Sequence, residues 1–547
     1  MIQIFVIFSF FIWAISLIGI GSFVWFFIGK YFKYLEINNE IKLLYFAIFG
    51  LILLSVIGTV FNFFIPLSQI FSSTILFSGI ILFYIRRHDI ITFNNNLDIL
   101  ILIILSFFCG MFSLMNLANY DTGLYHLQAI NWITSNALPF GLANLHGRFG
   151  FNSSWFIDAS IIYPLRTITG SPFFIINTLL YFFYGTFIFL TLSKMLRKAK
   201  FSFSNFFILS TFLPWSYLLK NFSTSPSPDT PTMLLTFFIT FLIIKGFENK
   251  KNDYLFMALI ISFFALTIKL SAIPYFFGIL FILIFIFKRS AYFNYLITSL
   301  VLFIIGIPYL IKGIVSSGCI AYPSASSCFN FKWSVPLESV IIEANWVKSW
   351  ARKPEVDWHK VLGNWNWLAS WSERNLIFLE IWIGLIIFGI ILIIICFILK
   401  KKRDFFAFLC AFSLVLVGCI FWFLAAPDPR FGYGYLFSLL GILLSYGIYN
   451  LFINLKSSVF LLKITLIVFF FLLFFQNNLS LKQILNTKKI KTVNYTTNTT
   501  LELKTIYSPK KGDQCFDAPL PCANIFNENL KIIFDKNNTL KMFWYEK

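Results

Sequence analysis

The chain has 547 residues, of which 59% are hydrophobic and 12% are charged, whereas a soluble domain carries roughly 25% charged residues. This composition excludes a soluble enzyme, a disordered chain and a fibrous protein. The hydrophobic residues fall in blocks of about 20, the length of a helix that spans a bilayer. A membrane β-barrel would instead show alternating segments of about ten residues. The sequence therefore predicts an all-α polytopic membrane protein.

We predict about 14 transmembrane helices from the apolar blocks. They cover residues 2–28, 43–65, 68–85, 99–117, 172–193, 201–219, 231–247, 254–270, 272–287, 292–311, 377–399, 404–424, 434–454 and 458–475. The first block has no basic segment before it and no small-residue cleavage site after it, so we interpret it as a span and not as a cleaved signal peptide.

The net charge of +20 arises from 43 Lys and Arg against 23 Asp and Glu. Short cytoplasmic loops of membrane proteins collect Lys and Arg, so this charge predicts no nucleic-acid partner. The basic loops 194–200 and 400–403 are therefore assigned to the cytoplasm. The N-terminus, the loops 118–171, 220–230, 312–376 and 425–433, and the tail 476–547 then face outward.

The chain divides into three predicted parts. Residues 1–98 form extra N-terminal transmembrane helices, residues 99–475 form the transmembrane core with its outer loops, and residues 476–547 form a small external C-terminal domain. Four cysteines fall on the outer side in two close pairs. An oxidising compartment favours disulfides, so we predict Cys319–Cys328 and Cys515–Cys522, although four cysteines allow three connectivities.

Two acidic residues open predicted helices in separate outer loops. Asp121 precedes an amphipathic stretch in which Leu124, Leu127 and Ile130 recur at helical spacing, and Asp229 follows Ser-Pro-Ser-Pro in the next short loop. Each carboxylate could simply cap its helix. The alternative is that Asp121 is a catalytic base and that both carboxylates face one site at the membrane surface.

Four basic residues lie on the same predicted side of the membrane: Arg148, Lys269, Lys312 and Arg430. A cluster of Lys and Arg near the lipid headgroups suits a phosphate or pyrophosphate. The alternative for each residue is an ordinary interfacial cation that snorkels to the headgroups. The tryptophans of loop 312–376 likewise suit either sugar rings or an interfacial aromatic belt.

These motifs, in this order and on this side, resemble the glycosyltransferase C (GT-C) superfamily, which includes protein O-mannosyltransferases and lipid A aminoarabinose transferases. The resemblance covers about residues 99–450 and also extends to uncharacterised bacterial membrane proteins. The matching features are Asp121 with Tyr125 in an acidic-x-x-x-Tyr setting, Ser227-Pro228-Asp229, Lys269, the Pro308–Pro323 run with Lys312, and Pro429-Arg430-Phe431-Gly432-Tyr433. The chain departs from the family in its three preceding spans and in Thr122, where many members have a second acidic residue.

The resemblance implies a GT-C-like core and an inverting transfer of a sugar from a polyprenyl-phosphate carrier to a glycan, lipid or protein acceptor outside the bacterial cytoplasmic membrane. In this interpretation Asp121 is the general base. Lys269, Lys312 and Arg430 stabilise the leaving phosphate, and Asp229, Tyr125 and Arg148 position the substrates. We expect Asp121, Asp229, Lys269, Lys312 and Arg430 to line one cavity, with the Asp121 carboxylate free of a tight ion pair.

The sequence leaves several alternatives open. No tight histidine and carboxylate spacing indicates a metal site, so we predict no cofactor, while some superfamily members need a divalent ion. A lipid-linked oligosaccharide flippase would place charged residues deep in its spans. A polymerase or ligase of surface polysaccharide would use arginines in late outer loops, and a scaffold without chemistry would leave Asp121 and Asp229 as caps.

Overall fold

The computed structural model describes residues 2–33, 35, 37–90, 95–115, 119–163, 172–198, 201–286, 291–452, 468, 494–499, 505–524, 527–534 and 540–545. This part of the chain is mainly helical. Its α-helices, in chain order, are α1 (Ile2–Ile28), α2 (Asn39–Asn62), α3 (Gln69–Ile90), α4 (Asn96–Phe112), α5 (Leu127–Ser135), α6 (Trp155–Ile161), α7 (Ile176–Lys198), α8 (Phe203–Ser210), α9 (Phe212–Phe222), α10 (Asp229–Asn249), α11 (Asp253–Ile268), α12 (Ile273–Phe285), α13 (Tyr292–Ser317), α14 (Leu337–Arg352), α15 (Trp358–Val361), α16 (Trp367–Arg374), α17 (Leu376–Ile398), α18 (Phe405–Ala425) and α19 (Pro429–Phe452).

Within the described residues, nine helices are long and apolar enough to cross a membrane: α1, α2, α3, α7, α10, α13, α17, α18 and α19. The shorter apolar helices α4, α11 and α12 coincide with three further predicted spans. The chain is thus a multi-pass helical membrane protein. The predicted span 201–219 consists of two short helices, α8 and α9. The span 458–475 lies outside the described residues except for Val468, so the number 14 stays a prediction.

The N-terminal helices pack directly on the rest of the helical bundle. Helix α1 packs against α2 and α3, and the contact depends on glycine, because a Cβ at Gly19 would lie 2.1 Å from the carbonyl oxygen of Gly79. Such close backbone approach is typical of helix pairs in membranes. Helix α2 also packs against α6 and α7, where the Ser55 hydroxyl donates to Asp158 Oδ2 over 2.7 Å.

The two ends of the helical bundle differ in their charges. Helix α10 has 21 residues, so its ends are about 30 Å apart at 1.5 Å per residue. At the end that holds the basic loops, Lys194 pairs with Glu40, and Arg197 Nη2 lies 2.9 Å from Asp98 Oδ2. Asp229 opens α10 at the opposite end, the predicted outer side.

The C-terminal segment is built of strands where it is described. Strand β1 (Tyr495–Thr499) pairs antiparallel with β2 (Thr505–Pro509), and β3 (Leu530–Phe534) pairs antiparallel with β4 (Leu540–Tyr545). Strand β4 lies alongside Phe140 of the first outer loop. Both predicted disulfides, Cys319–Cys328 and Cys515–Cys522, are confirmed.

Candidate active site

Four charged residues from four separate helix ends form one ion-pair network. Arg430 Nη1 lies 3.2 Å from Asp121 Oδ2, and Arg430 Nε lies 3.3 Å from Asp229 Oδ2. Lys269 Nζ contacts the other carboxylate oxygen of Asp229. Asp229 opens α10, Lys269 directly follows α11, Arg430 is the second residue of α19, and Asp121 precedes a π-helical turn over Thr122–His126. The fold thus brings together residues that four loops supply.

Neither acidic side chain caps its helix. Asp121 is the residue before the π-helical turn, but its side chain accepts no capping hydrogen bond, and the N-cap position of α10 is Pro228 and not Asp229. Their ion-pair partners in the network are the cations Arg430 and Lys269. The alternative interpretation of these residues as simple N-caps is therefore wrong.

The expectation that the Asp121 carboxylate is free of a tight ion pair is also wrong. Its Oδ2 faces the guanidinium of Arg430 at 3.2 Å. In the structure one guanidinium lies between the two carboxylates, because α19 begins between the first and second outer loops.

Asp428 is a further acidic residue at this site and is not among the residues predicted from the sequence. Its Oδ1 accepts a hydrogen bond of 2.9 Å from the backbone N–H of Arg430. Burial raises the pKa of Asp428, and the charge of Arg430 offsets part of this rise. The sequence Asp428-Pro429-Arg430 could have indicated this role, because an Asp directly before a Pro in the first helical turn is typical of an N-cap. Asp428 therefore fixes the backbone that carries the guanidinium.

Aromatic rings border the two cations. Lys269 Nζ lies 3.7 Å from the ring centroid of Phe431, and the Arg430 guanidinium lies 5.0 Å from the same centroid. The ring of Trp350, on α14, is 5.8 Å from Arg430. These distances suit cation–π attraction. At least one tryptophan of loop 312–376 therefore contacts the site.

Two small cavities flank the Asp229–Arg430 pair. The first has an empty volume of about 260 Å³ and is lined by Asp229, Thr232, Met233, Thr236, Lys269, Ser271, Arg430, Phe431, Gly434 and Tyr435. The second has an empty volume of about 210 Å³ and is lined by Tyr181, Leu218, Phe222, Asp229, Thr230, Met233, Arg430 and Tyr433. One cavity is rich in hydroxyl groups and the other is mostly aromatic and apolar. Asp121 lines neither and is connected to them through Arg430.

Tyr125 and Arg148 lie beside the network. The Arg148 guanidinium is 5.7 Å from the ring centroid of Tyr125, and Arg148 Nε is 3.5 Å from Glu343 Oε1 on α14. Burial, followed by the nearby charge of Asp121, raises the pKa of Tyr125. Arg148 thus pairs with Glu343, and the rings of Tyr125 and Phe151 lie between it and the side of the site that holds Asp121.

Lys312 lies in a separate buried cluster. The expectation of one cavity lined by all five residues is therefore wrong for Lys312 as well as for Asp121. Its Nζ is 3.4 Å from the carbonyl oxygen of Ser153, and the charged group that acts on it is Asp158 of α6. The predicted span ended at residue 311, whereas α13 continues to Ser317. Lys312 is therefore inside the helix and faces α6.

A buried chain of polar side chains joins the first two outer loops. Thr122 Oγ1 lies 2.6 Å from Ser225 Oγ, which lies 3.4 Å from His126 Nδ1. Burial lowers the pKa of His126 to about 4, although Asp121 and Asp229 act in the opposite direction. Thr122, which departs from the acidic residue of the GT-C pattern, thus contributes to fixing the turn beside Asp121.

One family model matches the chain. Its description is "Domain of unknown function (DUF8201)", and it matches residues 1–437. The matched region includes Asp121, Asp229, Lys269 and Arg430, and it ends inside α19. No curated protein and no solved structure matches the chain. Because the match covers most of the 547 residues, the chain belongs to the family described as domain of unknown function DUF8201.

Proposed function

We propose that the chain is an integral membrane glycosyltransferase of GT-C type. It moves a sugar from a polyprenyl-phosphate carrier to an acceptor on the outer side of the bacterial cytoplasmic membrane. The observation that supports this proposal is the pairing of Arg430 with both Asp121 and Asp229, with Lys269 on the second carboxylate. Asp121 and Asp229 come from separate outer loops and pair with the same guanidinium. This network lies at the end of the bundle opposite the basic loops.

Arg430 and Lys269 are suited to hold the phosphate of the donor. A guanidinium carries five N–H donors in a planar fork that matches phosphate oxygens, and Lys269 adds a second positive charge beside it. Both cations are ion-paired with carboxylates, so an arriving phosphate must compete for them. When the phosphate draws Arg430 away from Asp121, the carboxylate becomes available to accept a proton.

The chemical step follows from these positions. Asp121 takes the proton of the acceptor hydroxyl while the acceptor oxygen attacks the anomeric carbon on the face opposite the phosphate. The bond between the anomeric carbon and the phosphate oxygen breaks, and Arg430 and Lys269 stabilise the charge that develops on the phosphate. The products are the glycosylated acceptor with inverted configuration, the polyprenyl phosphate, and a proton that Asp121 releases to water.

The linings of the two cavities indicate where the donor headgroup lies. Asp229 and Arg430 line both cavities, and Lys269 lines the first. In this proposal the sugar and phosphate lie against Asp229 and Arg430, while the polyprenyl chain stays in the lipid.

The test is sugar transfer by purified protein in lipid vesicles. A panel of polyprenyl-phosphate sugars, each radiolabelled in the sugar, is the donor set, and release of label from the carrier is measured. Asp121→Asn preserves size, and we expect it to lower the rate by about 10²–10⁴-fold. Asp357→Asn is the matched control, because Asp357 is exposed and pairs with His359. Equal rates for wild type and Asp121→Asn would remove Asp121 from the mechanism.

A further inference from the structure

The Cys515–Cys522 loop of the C-terminal segment lies directly on the residues that carry Asp121. The backbone N–H of Phe516 donates to the carbonyl oxygen of Gly123 over 2.8 Å. Gln128 Nε2 donates to the carbonyl oxygens of Phe516 and Ala518 at 3.0 and 2.9 Å. Gln514 Nε2 donates to the carbonyl oxygen of Tyr120 at 2.8 Å. These contacts fall on both sides of Asp121.

Phe516 is held in a backbone conformation that it would not adopt by itself. Its φ is 42°, in the left-handed region that is uncommon and unfavourable for residues other than glycine. Its N–H and C=O both bond to the Asp121 segment. The ring lies over Gly123, where a Cβ would come within 2.6 Å of it. Strain of this kind persists where the surroundings fix it.

The loop is a closed unit that is tied to the neighbouring hairpin. The disulfide joins Cys515 to Cys522, and both cysteines are 1% exposed. Tyr507 of β2 donates its N–H to the carbonyl oxygen of Pro521 and accepts from the N–H of Ala523, at 2.9 and 3.0 Å. Phe516 is thus presented to the Asp121 segment from a cross-linked support.

We propose that the Cys515–Cys522 loop positions Asp121 for proton transfer, with Phe516 as the positioning residue. The proposal rests on the transferase function stated above. Gly123, which Phe516 contacts, lies two residues after Asp121, and Tyr120, which Gln514 contacts from the position directly before the loop, lies one residue before Asp121. The loop thereby fixes the π-helical turn and the distance from Asp121 to Arg430. Small displacements of a catalytic group lower rates by about 10²-fold.

Hydrogen exchange of residues 119–131 tests the contact without any sugar assay. The Cys515→Ser/Cys522→Ser protein in lipid nanodiscs should exchange these amides at least tenfold faster than wild type. The control is Cys319→Ser/Cys328→Ser, which removes the other outer disulfide; Cys319 packs with Ala143, Tyr322 and Val335. If the amides of residues 119–131 exchange at the same rate in the Cys515→Ser/Cys522→Ser protein and in the control, whether slowly or fast, the proposal is overturned.

A double-mutant cycle between Gly123 and Phe516 tests the positioning role. Gly123→Ala places a methyl group against the Phe516 ring, and Phe516→Ala removes the ring. We expect each single variant to lower kcat about tenfold or more with KM nearly unchanged, because base positioning acts on the transition state. The double variant should be no slower than Phe516→Ala alone, since the clash is gone. If the fold reductions in kcat of the two single variants simply multiply in the double variant, the two residues do not interact and the positioning contact is wrong.

The outcomes separate this inference from the transferase proposal. If wild-type protein transfers no sugar while the Cys515/Cys522 variant exchanges faster than the control, the transferase proposal fails and the structural contact stands. If wild type transfers sugar and the loop variants exchange faster but keep the wild-type kcat, the positioning role is overturned.

Discussion

The guanidinium of Arg430 lies 3.2 Å from the carboxylate of Asp121, which reaches it from the first outer loop. The same guanidinium lies 3.3 Å from Asp229. Arg430 therefore reduces the repulsion between two partly buried acids, and Lys269 supplies the second positive charge of the network. The stability of the site and the availability of Asp121 as a base both depend on how strongly Arg430 binds each of the two carboxylates.

Substitutions of Arg430 and Asp229 should have strongly non-additive effects on the free energy of unfolding. Arg430→Gln leaves two carboxylates close together with Lys269 as their remaining partner in the network, so stability should fall. Asp229→Asn in the same chain removes one of the repelling charges. We expect a coupling free energy of about 0.5–3 kcal/mol in the double-mutant cycle, measured by unfolding in detergent. Purely additive effects would indicate that the two side chains do not interact in solution.

Lys269 and Lys312 should respond differently to the same substitution. Lys269→Met removes a cation from the phosphate site and should lower transfer about 10²-fold or more. Lys312→Met removes the buried ammonium that contacts the Ser153 carbonyl oxygen and acts on Asp158, and it should cost about 1–3 kcal/mol of stability, with near-normal transfer per folded molecule. If Lys312→Met lowers transfer as much as Lys269→Met, the sequence-based role of Lys312 as a phosphate partner would be right.

His126 should make the protein less stable in mild acid. Its pKa is about 4 in the folded protein because of burial, against about 6.5 in an unfolded chain. The unfolded chain therefore binds the proton first, and stability falls as pH drops from about 6.5 towards 4. The loss at pH 5 is about 2 kcal/mol.

The thermal midpoint at pH 7.5 and pH 5 measures this effect. Since buried acids such as Asp158, whose pKa is raised by burial, act in the opposite direction, the informative quantity is the difference between variants. His126→Asn should show a smaller drop than wild type. His359→Asn should behave as wild type, because His359 is exposed. The same drop in all three proteins would mean that His126 does not titrate as stated.

Accessibility labelling should place the charge-rich loops and the tail on opposite sides of the membrane. Lys402 and Lys511 are both exposed, so Lys402→Cys and Lys511→Cys form a matched pair in a background without the free cysteines. A membrane-impermeant maleimide added to intact cells should label position 511 and miss position 402, as the distribution of Lys and Arg indicates. Labelling of both after cell lysis is the control. A protected Lys511→Cys would reverse the assignment of sides.

The amino-acid sequence by itself determined the membrane class, the positions of most long helices and both disulfides. These features are local: an apolar run of about 20 residues or two cysteines less than ten residues apart can be seen without knowing the fold. The same local signals identified Asp121, Asp229, Lys269 and Arg430 as residues at helix ends on one side of the membrane.

The tertiary structure alone decided which of these residues meet. The end of α13 at Ser317, and not near residue 311, turns Lys312 towards Asp158. The start of α19 puts Arg430 between Asp121 and Asp229, so the carboxylates are paired and not free. The contact between Phe516 and Gly123 joins residues almost 400 positions apart. Helix propensity and apolar periodicity act over a few residues, whereas these contacts depend on how separate loops pack together at the ends of the bundle.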